Sequence, residues 1–394
     1  MIIAGLMAGT SADGLDVALV ELEPHSDADG DALTMRLLAA REVAFDAALG
    51  LDILRLLEPR DVPLALVSDV DARLGQASAE AVAALAAEAG VEPELIVSHG
   101  QTVRHDVADG AVTSTLQLGQ PAWIAERTGT PVLSDVRARD VAAGGQGAPL
   151  VGILDRMLLA DVAEPTAVLN LGGIANITVI SPDAEPMAFD TGPANALIDL
   201  MARRITGDER GFDRDGALAA RGRVIPALLD DLLAEPYYAQ VPPKSTGKEL
   251  FHAAYLDRHL AAHPGLDEHD VIATLTALTA RTVAQACAAH DVGAVVASGG
   301  GTRNPTLMAA LRAELGDAVG VRTSDEAFGL PEGAKEACLM TLVGWLSWHG
   351  LDAVAPALTG ARRATLAGRL TPGARPLRLP APREHAPRRL IVRR

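Results

Sequence analysis

The first twenty-one residues, MIIAGLMAGTSADGLDVALVE, limit the possible folds more than any other part of the chain. Two apolar runs, residues 2–8 and 15–20, are rich enough in aliphatic side chains to be buried strands. The turn between them, residues 9–14, contains glycines and hydroxyls, and its backbone N–H groups can surround an anion closely. The pattern predicts either an ordinary hairpin turn, which uses the same residue types, or a cradle for a phosphate group.

The same segment carries two aspartates, Asp13 and Asp16. Mg²⁺ takes oxygen ligands and usually keeps several waters around it. If the turn binds phosphate, these carboxylates can hold the ion directly or through water. We therefore predict a magnesium site at Asp13 and Asp16.

Glycine turns follow apolar strands at two further places in the chain. Residues 167–171 lead into Gly172 and Gly173 and then into a second apolar run, which repeats the N-terminal layout. Residues 294–297 lead into a Ser-Gly-Gly-Gly turn ahead of an expected helix, and a nucleotide's phosphate or ribose commonly lies at such a helix start. Three turns of this kind indicate an enzyme that holds nucleotide phosphates between two similar domains.

Two other nucleotide-binding folds do not fit the sequence. No G-x-G-x-x-G motif opens a helix within a βαβ unit, which excludes a dinucleotide-binding Rossmann domain. The cluster KSTGK at residues 244–248 lacks the upstream glycine of a P-loop and is followed by Glu249 instead of Ser or Thr. We interpret that cluster as the cap of a substrate lid or as ordinary surface.

Composition narrows the class of ligand. The 394 residues, 49% of them hydrophobic, are enough for two cores. A formal net charge of −17 argues against nucleic acid or an anionic membrane as the partner, and an aromatic content of 3% argues against a sugar groove of stacked rings. Cys287 and Cys338 lack metal-ligand spacing, so neither a disulfide framework nor a zinc site is expected. A small polar ligand bound by hydrogen bonds fits best.

The sequence also bears on location. The N-terminus lacks the basic region of a signal peptide. No apolar run approaches the roughly 18 residues that span a bilayer. We therefore expect a soluble, cytoplasmic protein.

Asp190 is the leading candidate for a catalytic base. An apolar strand ends there at a Gly-Pro turn, a position that can project a carboxylate into a cleft, although the carboxylate could equally bind the backbone of its own turn. His99 and Gln101 follow another short strand and could recognise a ligand, but a lone histidine there is more often structural. Glu326 and Glu336 flank a Gly-Leu-Pro turn and could line a sugar site or a solvated helix face.

In combination, these motifs resemble those of the anhydro-N-acetylmuramic acid kinases, members of the actin, heat-shock ATPase and sugar kinase superfamily. Eight motifs occur in the family's order over roughly residues 3–370: GLMAGTSADGLD, SHGQT, DVAAGGQGAPLV, NLGGIANIT, FDTGPAN, FDRDG, PKSTGKE and SGGGTRNPTL. Eight ordered motifs make a chance resemblance very improbable. One departure is Ala194, which stands where a glycine is expected in the family.

The resemblance implies an α/β protein with the two-domain actin-like ATPase fold, in which duplicated ribonuclease H-like domains flank an interdomain cleft. We expect the N-terminal domain at residues 1–140, joined by a late helix, and the C-terminal domain at residues 141–370. The glycine-dense loop at residues 144–147 is expected to be a hinge or a wall of the cleft, with a second hinge late in the chain. The Pro/Arg-rich segment 371–394 is an addition to the family pattern and is expected to be a flexible tail.

The resemblance also implies a reaction. With ATP and Mg²⁺, such a kinase opens the 1,6-anhydro ring of 1,6-anhydro-N-acetylmuramic acid with water and phosphorylates O6, giving N-acetylmuramic acid 6-phosphate in cell-wall recycling. Asp190 corresponds to the base that deprotonates the water. Two alternatives stay open, a kinase of another amino sugar or sugar acid and a non-sugar actin-like ATPase. The family analogy also suggests a homodimer.

The resemblance assigns residues to two sites. The residues that correspond to the ATP site are Gly9, Thr10, Ser11, Ala12, Asp13, Gly14, Leu15, Asp16, Gly172, Gly173, Asn176, Gly299, Gly300, Gly301 and Asn304. The residues assigned to the sugar site are His99, Gln101, Arg137, Gln146, Gly147, Glu326 and Glu336.

Overall fold

The computed structural model describes residues 1–9, 12, 14–27, 30–58, 60–108, 111–208, 211–242, 244–247, 250–331, 333–354 and 356–393. The chain divides into two compact units: unit 1 contains Met1–Ala160 and Phe328–Arg394, and unit 2 contains Asp161–Ala327. This division differs from the expected boundary at residue 140, because Leu154 and Met157 belong to the core of the N-terminal sheet.

Strands and helices alternate through most of the chain. The described strands are β1 (Ile2–Ala8), β2 (Gly14–Asp27), β3 (Gly30–Ala44), β4 (Leu95–Ser98), β5 (Gln101–Ala108), β6 (Ala111–Leu118), β7 (Val132–Ser134), β8 (Thr166–Leu171), β9 (Ile174–Ser181), β10 (Ala184–Pro193), β11 (Ala294–Ser298), β12 (Gly320–Thr323), β13 (Arg369–Thr371) and β14 (Arg389–Arg393). The described α-helices are α1 (Ala47–Leu57), α2 (Leu64–Ala89), α3 (Pro121–Thr128), α4 (Ala138–Ala142), α5 (Gly152–Leu158), α6 (Asn195–Thr206), α7 (Pro226–Leu233), α8 (Ala253–Ala262), α9 (Glu268–Ala288), α10 (Pro305–Leu315), α11 (Ser324–Phe328), α12 (Lys335–Trp348) and α13 (Pro356–Thr359). Both units are therefore of the α/β class.

Unit 1 is built on a sheet with the strand order β13-β7-β4-β1-β2-β3-β14. β1, β2 and β3 form an antiparallel meander, and β4 and β7 continue the sheet parallel to β1. The register pairs Ala8 with Leu15 and Met7 with Asp16, so the first turn closes a hairpin directly. The strand–turn–strand layout predicted for the N-terminus is confirmed.

Alternate residues of β1 face two separate helical layers. Ile3 belongs to the core formed with α12, whereas Ala4 and Leu6 belong to the core formed with α2, as the two-residue period of a strand requires. A Cβ on Gly5 would lie 2.0 Å from the carbonyl oxygen of Ala337 in α12. Glycine at this position therefore lets α12 pack directly on the sheet.

The C-terminal segment differs from the expected flexible tail. β13 pairs with β7, and β14 pairs in parallel with β3 at the other edge of the sheet. Leu390 is 5% exposed and joins the main core of unit 1. Residues 390–392, Leu-Ile-Val, supply an apolar strand after the Pro/Arg-rich run, and this strand covers a sheet edge that would otherwise be open.

Unit 2 repeats this arrangement with fewer strands. Its sheet has the order β10-β9-β8-β11-β12. β8, β9 and β10 are antiparallel neighbours, and β11 and β12 continue parallel to β8. The inner part of the unit 1 sheet, β3-β2-β1-β4-β7, has the same order and the same strand directions. The duplicated α/β architecture predicted from the resemblance is confirmed.

One described helix, α9, is long and apolar enough to cross a membrane, contrary to the expectation that no segment reaches that length. Its most apolar window is 72% buried inside the structure, where Ile272 and Leu278 belong to a core of unit 2. Core helices of soluble proteins pass the same test, so α9 is weak evidence for a membrane span.

Candidate active site

The first glycine turn lies between β1 and β2. Three of its residues fall outside the described part of the chain: Thr10, Ser11 and Asp13. Ala12 has a left-handed backbone, with φ 56°, and is buried. A Cβ on Gly14 would lie 2.6 Å from the carbonyl oxygen of Val43, so the pairing with β3 already requires glycine there. Asp16 is partly buried on β2 beside the turn. Phosphate binding by this turn stays a prediction.

The second glycine turn, residues 172–173, is closed by the start of α6. The backbone N–H groups of residues 194–196 donate to its carbonyl oxygens at 2.9–3.0 Å. Nδ2 of Asn195 adds a further bond of 2.9 Å to the carbonyl oxygen of Gly172. Ala194 has φ −112°, so the chain does not need glycine at this point for a positive φ. The strand–turn–strand layout predicted here is confirmed.

The third glycine turn, residues 299–301, lies beside the second because β11 pairs in parallel with β8. Gly299 has φ +87°, and a Cβ there would lie 2.5 Å from Oδ1 of Asn170. A Cβ on Gly301 would lie 2.7 Å from Cβ of Leu171. The two loops assigned to phosphate and to adenosine therefore pack together within unit 2.

At three glycine positions of these loops, no contact within the protein and no backbone angle requires glycine. A Cβ on Gly172 or Gly173 would meet no described atom closer than 3.5 Å, and one on Gly300 would meet none within 4 Å. None of the three has a positive φ. Since backbone without a side chain lets a ligand approach closely, these positions fit a nucleotide phosphate lying against the main chain.

Asn304 has a structural role that the sequence did not reveal. Its Oδ1 accepts the N–H of Leu307 at 3.0 Å and caps α10. Gly216 of the FDRDG motif, at φ +66°, packs so closely on this cap that a Cβ would lie 2.3 Å from the same oxygen. Contact between Asn304 and adenosine stays a prediction.

Asp190 lies inside β10, which continues to Pro193, and not in the turn that the sequence suggested. A β-bulge between Asp190 and Gly192 disturbs the pairing with β9, where Asn176 is the partner of Asp190. Bulges often redirect a side chain beside an active site. Oδ2 of Asp190 accepts the backbone N–H of Thr246 at 2.8 Å. This donor comes from a distant loop and not from the backbone next to Asp190.

In unit 1, Arg137 connects several of the residues assigned to the sugar site. Its Nε donates to Nε2 of His99 at 2.7 Å, and its Nη1 donates to the carbonyl oxygen of Gly147 at 2.6 Å. Burial lowers the pKa of Arg137 to about 10, and the Glu336 carboxylate opposes this effect. The guanidinium is therefore charged at neutral pH and is held by fixed partners.

His99 is buried, with 2% of its surface exposed, and both ring nitrogens have protein partners. Nδ1 lies 2.7 Å from the carbonyl oxygen of Gly100, and Nε2 accepts from Arg137. Because a carbonyl oxygen only accepts, this pattern assigns the proton to Nδ1. Burial, with a smaller effect of the Arg137 charge, lowers the pKa of His99 to about 3, so the ring is neutral. This geometry supports the structural interpretation of His99.

The two glutamine candidates differ in their partners. Gln101 is 1% exposed, and its Oε1 has no hydrogen-bond partner among the described residues. A buried acceptor of this kind is costly unless a ligand or water bonds to it. The backbone N–H of Gln146 donates to the carbonyl oxygen of Thr359 at 2.8 Å, which anchors the loop before Gly147.

The two glutamate candidates lie in different units. Glu336 lies in the first turn of α12, where desolvation raises the pKa of its carboxyl group and the positive charges of Arg137 and Lys335 oppose this effect. Glu326 belongs to unit 2, where its Oε2 accepts the N–H of Thr323 at 2.8 Å and caps α11. Only Glu336 therefore lies in the same unit as Arg137.

Asp140 is a residue for which the sequence suggested no role. It is fully buried, and its carboxylate accepts the N–H of Gly147 and the hydroxyl of Thr359, both at 2.7 Å. A Cβ on Gly145 would lie 2.3 Å from the same carboxylate. These bonds fix the glycine loop, residues 144–147, inside unit 1, whereas the sequence suggested a hinge or a wall of the cleft there. The sequence feature that could have indicated this role of Asp140 is a carboxylate just before a glycine-rich run.

The comparisons with known proteins agree with these motifs. A family model described as anhydro-N-acetylmuramic acid kinase matches residues 1–373. A Streptomyces coelicolor protein named anhydro-N-acetylmuramic acid kinase is 52% identical over 393 residues, which cover 100% of this chain and 99% of that protein. The chain belongs to the anhydro-N-acetylmuramic acid kinase family. A Streptomyces avermitilis protein of the same name is 51% identical over 393 residues, 100% of each chain.

Membership of this kinase family confirms the resemblance and the expected class of enzyme, and use of ATP is consistent with that class. The alignments with both Streptomyces kinases span the whole of this chain, so its C-terminal segment is shared with these two relatives. Among solved structures, component A of the Acidaminococcus fermentans (R)-2-hydroxyglutaryl-CoA dehydratase is similar at 13% identity, with 86% of this chain and 96% of that chain covered and a TM-score of 0.41. A similarity this low bears on neither function nor site.

Proposed function

We propose that the protein converts 1,6-anhydro-N-acetylmuramic acid, ATP and water into N-acetylmuramic acid 6-phosphate and ADP. The observation that carries this proposal is membership of the kinase family over residues 1–373, with 52% identity to a full-length relative of that name. Water adds to the anomeric carbon and loses a proton, the bond from that carbon to O6 breaks, and O6 takes the phosphoryl group. The product therefore gains one water and one phosphoryl group.

The loops of unit 2 support the nucleotide part of the proposal. ATP supplies the γ-phosphoryl group, and the open main chain at Gly172, Gly173 and Gly300 leaves room for phosphate oxygens. We place Mg²⁺ at Asp16, with Asp13 outside the described residues. Within the described ranges, no group of three or more ligand-type side chains occurs, and Mg²⁺ often uses only one or two carboxylates besides water and phosphate.

Asp190 is the proposed base. Its carboxylate is partly exposed and accepts a backbone N–H, a bond that stabilises the charged form. In the proposed step it takes a proton from the water that attacks the anomeric carbon. The base of an inverting glycosidase has the same task.

The proposed sugar contacts come from unit 1. Because His99 and Gly147 hold Arg137, the remaining N–H groups of its guanidinium point in a fixed direction. Oε1 of Gln101 and the carboxylate of Glu336 are acceptors for sugar hydroxyl groups or for the N-acetyl N–H. This mixture of donors and acceptors suits a small polar sugar.

A coupled assay of ADP release with the purified protein tests the proposed function. We expect release that requires the anhydro sugar, with mass spectrometry showing the gain of one water and one phosphoryl group. N-acetylmuramic acid, N-acetylglucosamine and 1,6-anhydro-N-acetylglucosamine complete the substrate panel. Release that is independent of sugar, or that occurs only with a different sugar, would reject the proposal.

Location and assembly depend on the proposed reaction. Since the reaction consumes ATP, we place the protein in the cytoplasm, with the anhydro sugar and ATP as its ligands. The homodimer expected from the family analogy stays a prediction, which light scattering after size-exclusion chromatography can test.

A further inference from the structure

We propose that residues 244–247, called here the Lys244 loop, position Asp190 as a base by donating the Thr246 N–H to its carboxylate. The sequence predicted that the KSTGK cluster caps a substrate lid or is ordinary surface, and the proposed function uses only the bond from Thr246. The proposal rests on the proposed function in one respect only, which is that Asp190 acts as the base.

Three hydrogen bonds connect the Lys244 loop and the turn before it to β10. The backbone N–H of Asp190 donates to the carbonyl oxygen of Lys244 at 3.1 Å. Oδ2 of Asp190 accepts the N–H of Thr246 at 2.8 Å. From the turn just before the loop, the hydroxyl of Tyr237 donates to the carbonyl oxygen of Asp190 at 2.7 Å. Both the main chain and the side chain of Asp190 are therefore bonded to this one segment.

Lys244 anchors the loop. Its Nζ donates to the carbonyl oxygens of Tyr237 at 3.3 Å and Tyr238 at 3.1 Å, and it lies 4.8 Å above the centre of the Tyr237 ring. Burial lowers the pKa of Lys244. An ammonium group with these partners holds the loop against the turn, so Lys244 acts on Asp190 indirectly, as a positioning residue.

The bond from Thr246 has a chemical consequence. A backbone N–H bonded to a carboxylate stabilises the charged form, which lowers the pKa, and it also fixes the direction of the carboxylate. Beside Asp190 lie the Tyr237 hydroxyl, which bonds to its carbonyl oxygen, and Asn176, its partner on the neighbouring strand β9. The Lys244 ammonium lies over the Tyr237 ring, and residues 248–249 lie outside the described chain. We assign the acid limb of the pH profile to the Asp190 carboxylate, because carboxylates ordinarily titrate in the acid range.

Thr246→Pro removes the donor, and Thr246→Ala is the matched control because it keeps the backbone N–H. We expect Thr246→Pro to move the acid limb of kcat/KM up by about one pH unit and to lower kcat, with the KM for ATP unchanged. Thr246→Ala should leave the acid limb at the same pH as in the unmodified protein. Infrared titration of the Asp190 carboxylate, identified by its loss in Asp190→Asn, measures the same pKa shift without turnover.

Lys244→Met and Lys244→Arg form a second pair in case thermal melting shows that Thr246→Pro does not fold. Lys244→Met should move the pKa in the same direction, and Lys244→Arg should restore it. An unmoved pKa in the folded variant overturns the proposal, as does a Lys244→Met protein with a raised KM for ATP and an unmoved pKa. If the unmodified protein shows no sugar-dependent ADP release, the proposed function fails, and the infrared shift still decides the role of the loop.

Discussion

Asp190 carries the proposed proton transfer, and Asp190→Asn keeps its size while removing its charge. We expect kcat to fall about 10³-fold, within the range that a general base contributes, because the amide cannot take a proton from water. ATP affinity should change little. ADP release and calorimetric titration with an ATP analogue measure the two quantities. Asp183→Asn is the control, since Asp183 is exposed just before β10, and a fully active Asp190→Asn enzyme would show that another group is the base.

Burial of His99 makes the stability of the folded protein depend on pH. Its pKa is about 3 in the folded protein, whereas a free histidine titrates at about 6.5. The unfolded chain therefore binds one more proton below pH 6.5, so the free energy of unfolding falls by about 1.4 kcal/mol per pH unit as the pH drops towards 3. His99→Gln lacks this contribution. Urea denaturation from about pH 7 to pH 4 should give a flatter profile for the variant, and parallel profiles would contradict the assignment.

The glycine loop shows how one buried carboxylate can organise a short segment. Asp140→Asn places a donor against Gly147 or Thr359, so we expect the free energy of unfolding to fall by about 2 kcal/mol. Because Gly147 also holds Arg137, the KM for the sugar should rise about tenfold, with the KM for ATP unchanged. Denaturation and steady-state kinetics measure these effects. Thr359→Val should give a smaller effect, Thr359→Ser is the control, and an unchanged sugar KM in Asp140→Asn would disprove the connection.

Among the strands, the two hairpins around the first and second glycine turns were predictable, because short apolar runs bounded by glycine form few structures other than strands. The extent of β10 was not, since Gly192 and Pro193 read as a turn while a bulge lets the strand continue through them. β14 was missed for a related reason. Its three apolar residues follow a Pro/Arg-rich run, and only the open edge of β3 makes them a strand.

A buried ion pair links the two parts of the chain that build unit 1. Nζ of Lys335 lies 2.8 Å from Oδ1 of Asp155, and the side chains are 4% and 3% exposed. Burial raises the pKa of Asp155, and Lys335 opposes this effect. Because removal of one partner leaves a buried charge without compensation, we expect Asp155→Leu to lower the free energy of unfolding by about 3–5 kcal/mol.

The double variant Asp155→Leu/Lys335→Met is the matched control for that prediction. With both charges replaced by apolar groups, most of the lost stability should return. Urea denaturation is measured for the unmodified protein, both single variants and the double variant. These four measurements complete a double-mutant cycle. The pair does not hold residues 328–394 in place within unit 1 if the free energy of unfolding of Asp155→Leu falls by less than about 1 kcal/mol. The same conclusion follows if the double variant is no more stable than Asp155→Leu.

Contiguous residues were sufficient to predict the α/β class, the family and the positions of the glycine turns, because motif order and strand–turn composition are local properties of the chain. The packed structure alone brought His99 to Arg137 and Thr246 to Asp190. It also decided that the C-terminal strand completes unit 1. The physical reason is that buried donors and acceptors must be paired, and no local pattern encodes which distant group, carried in by another strand or loop, forms the pair.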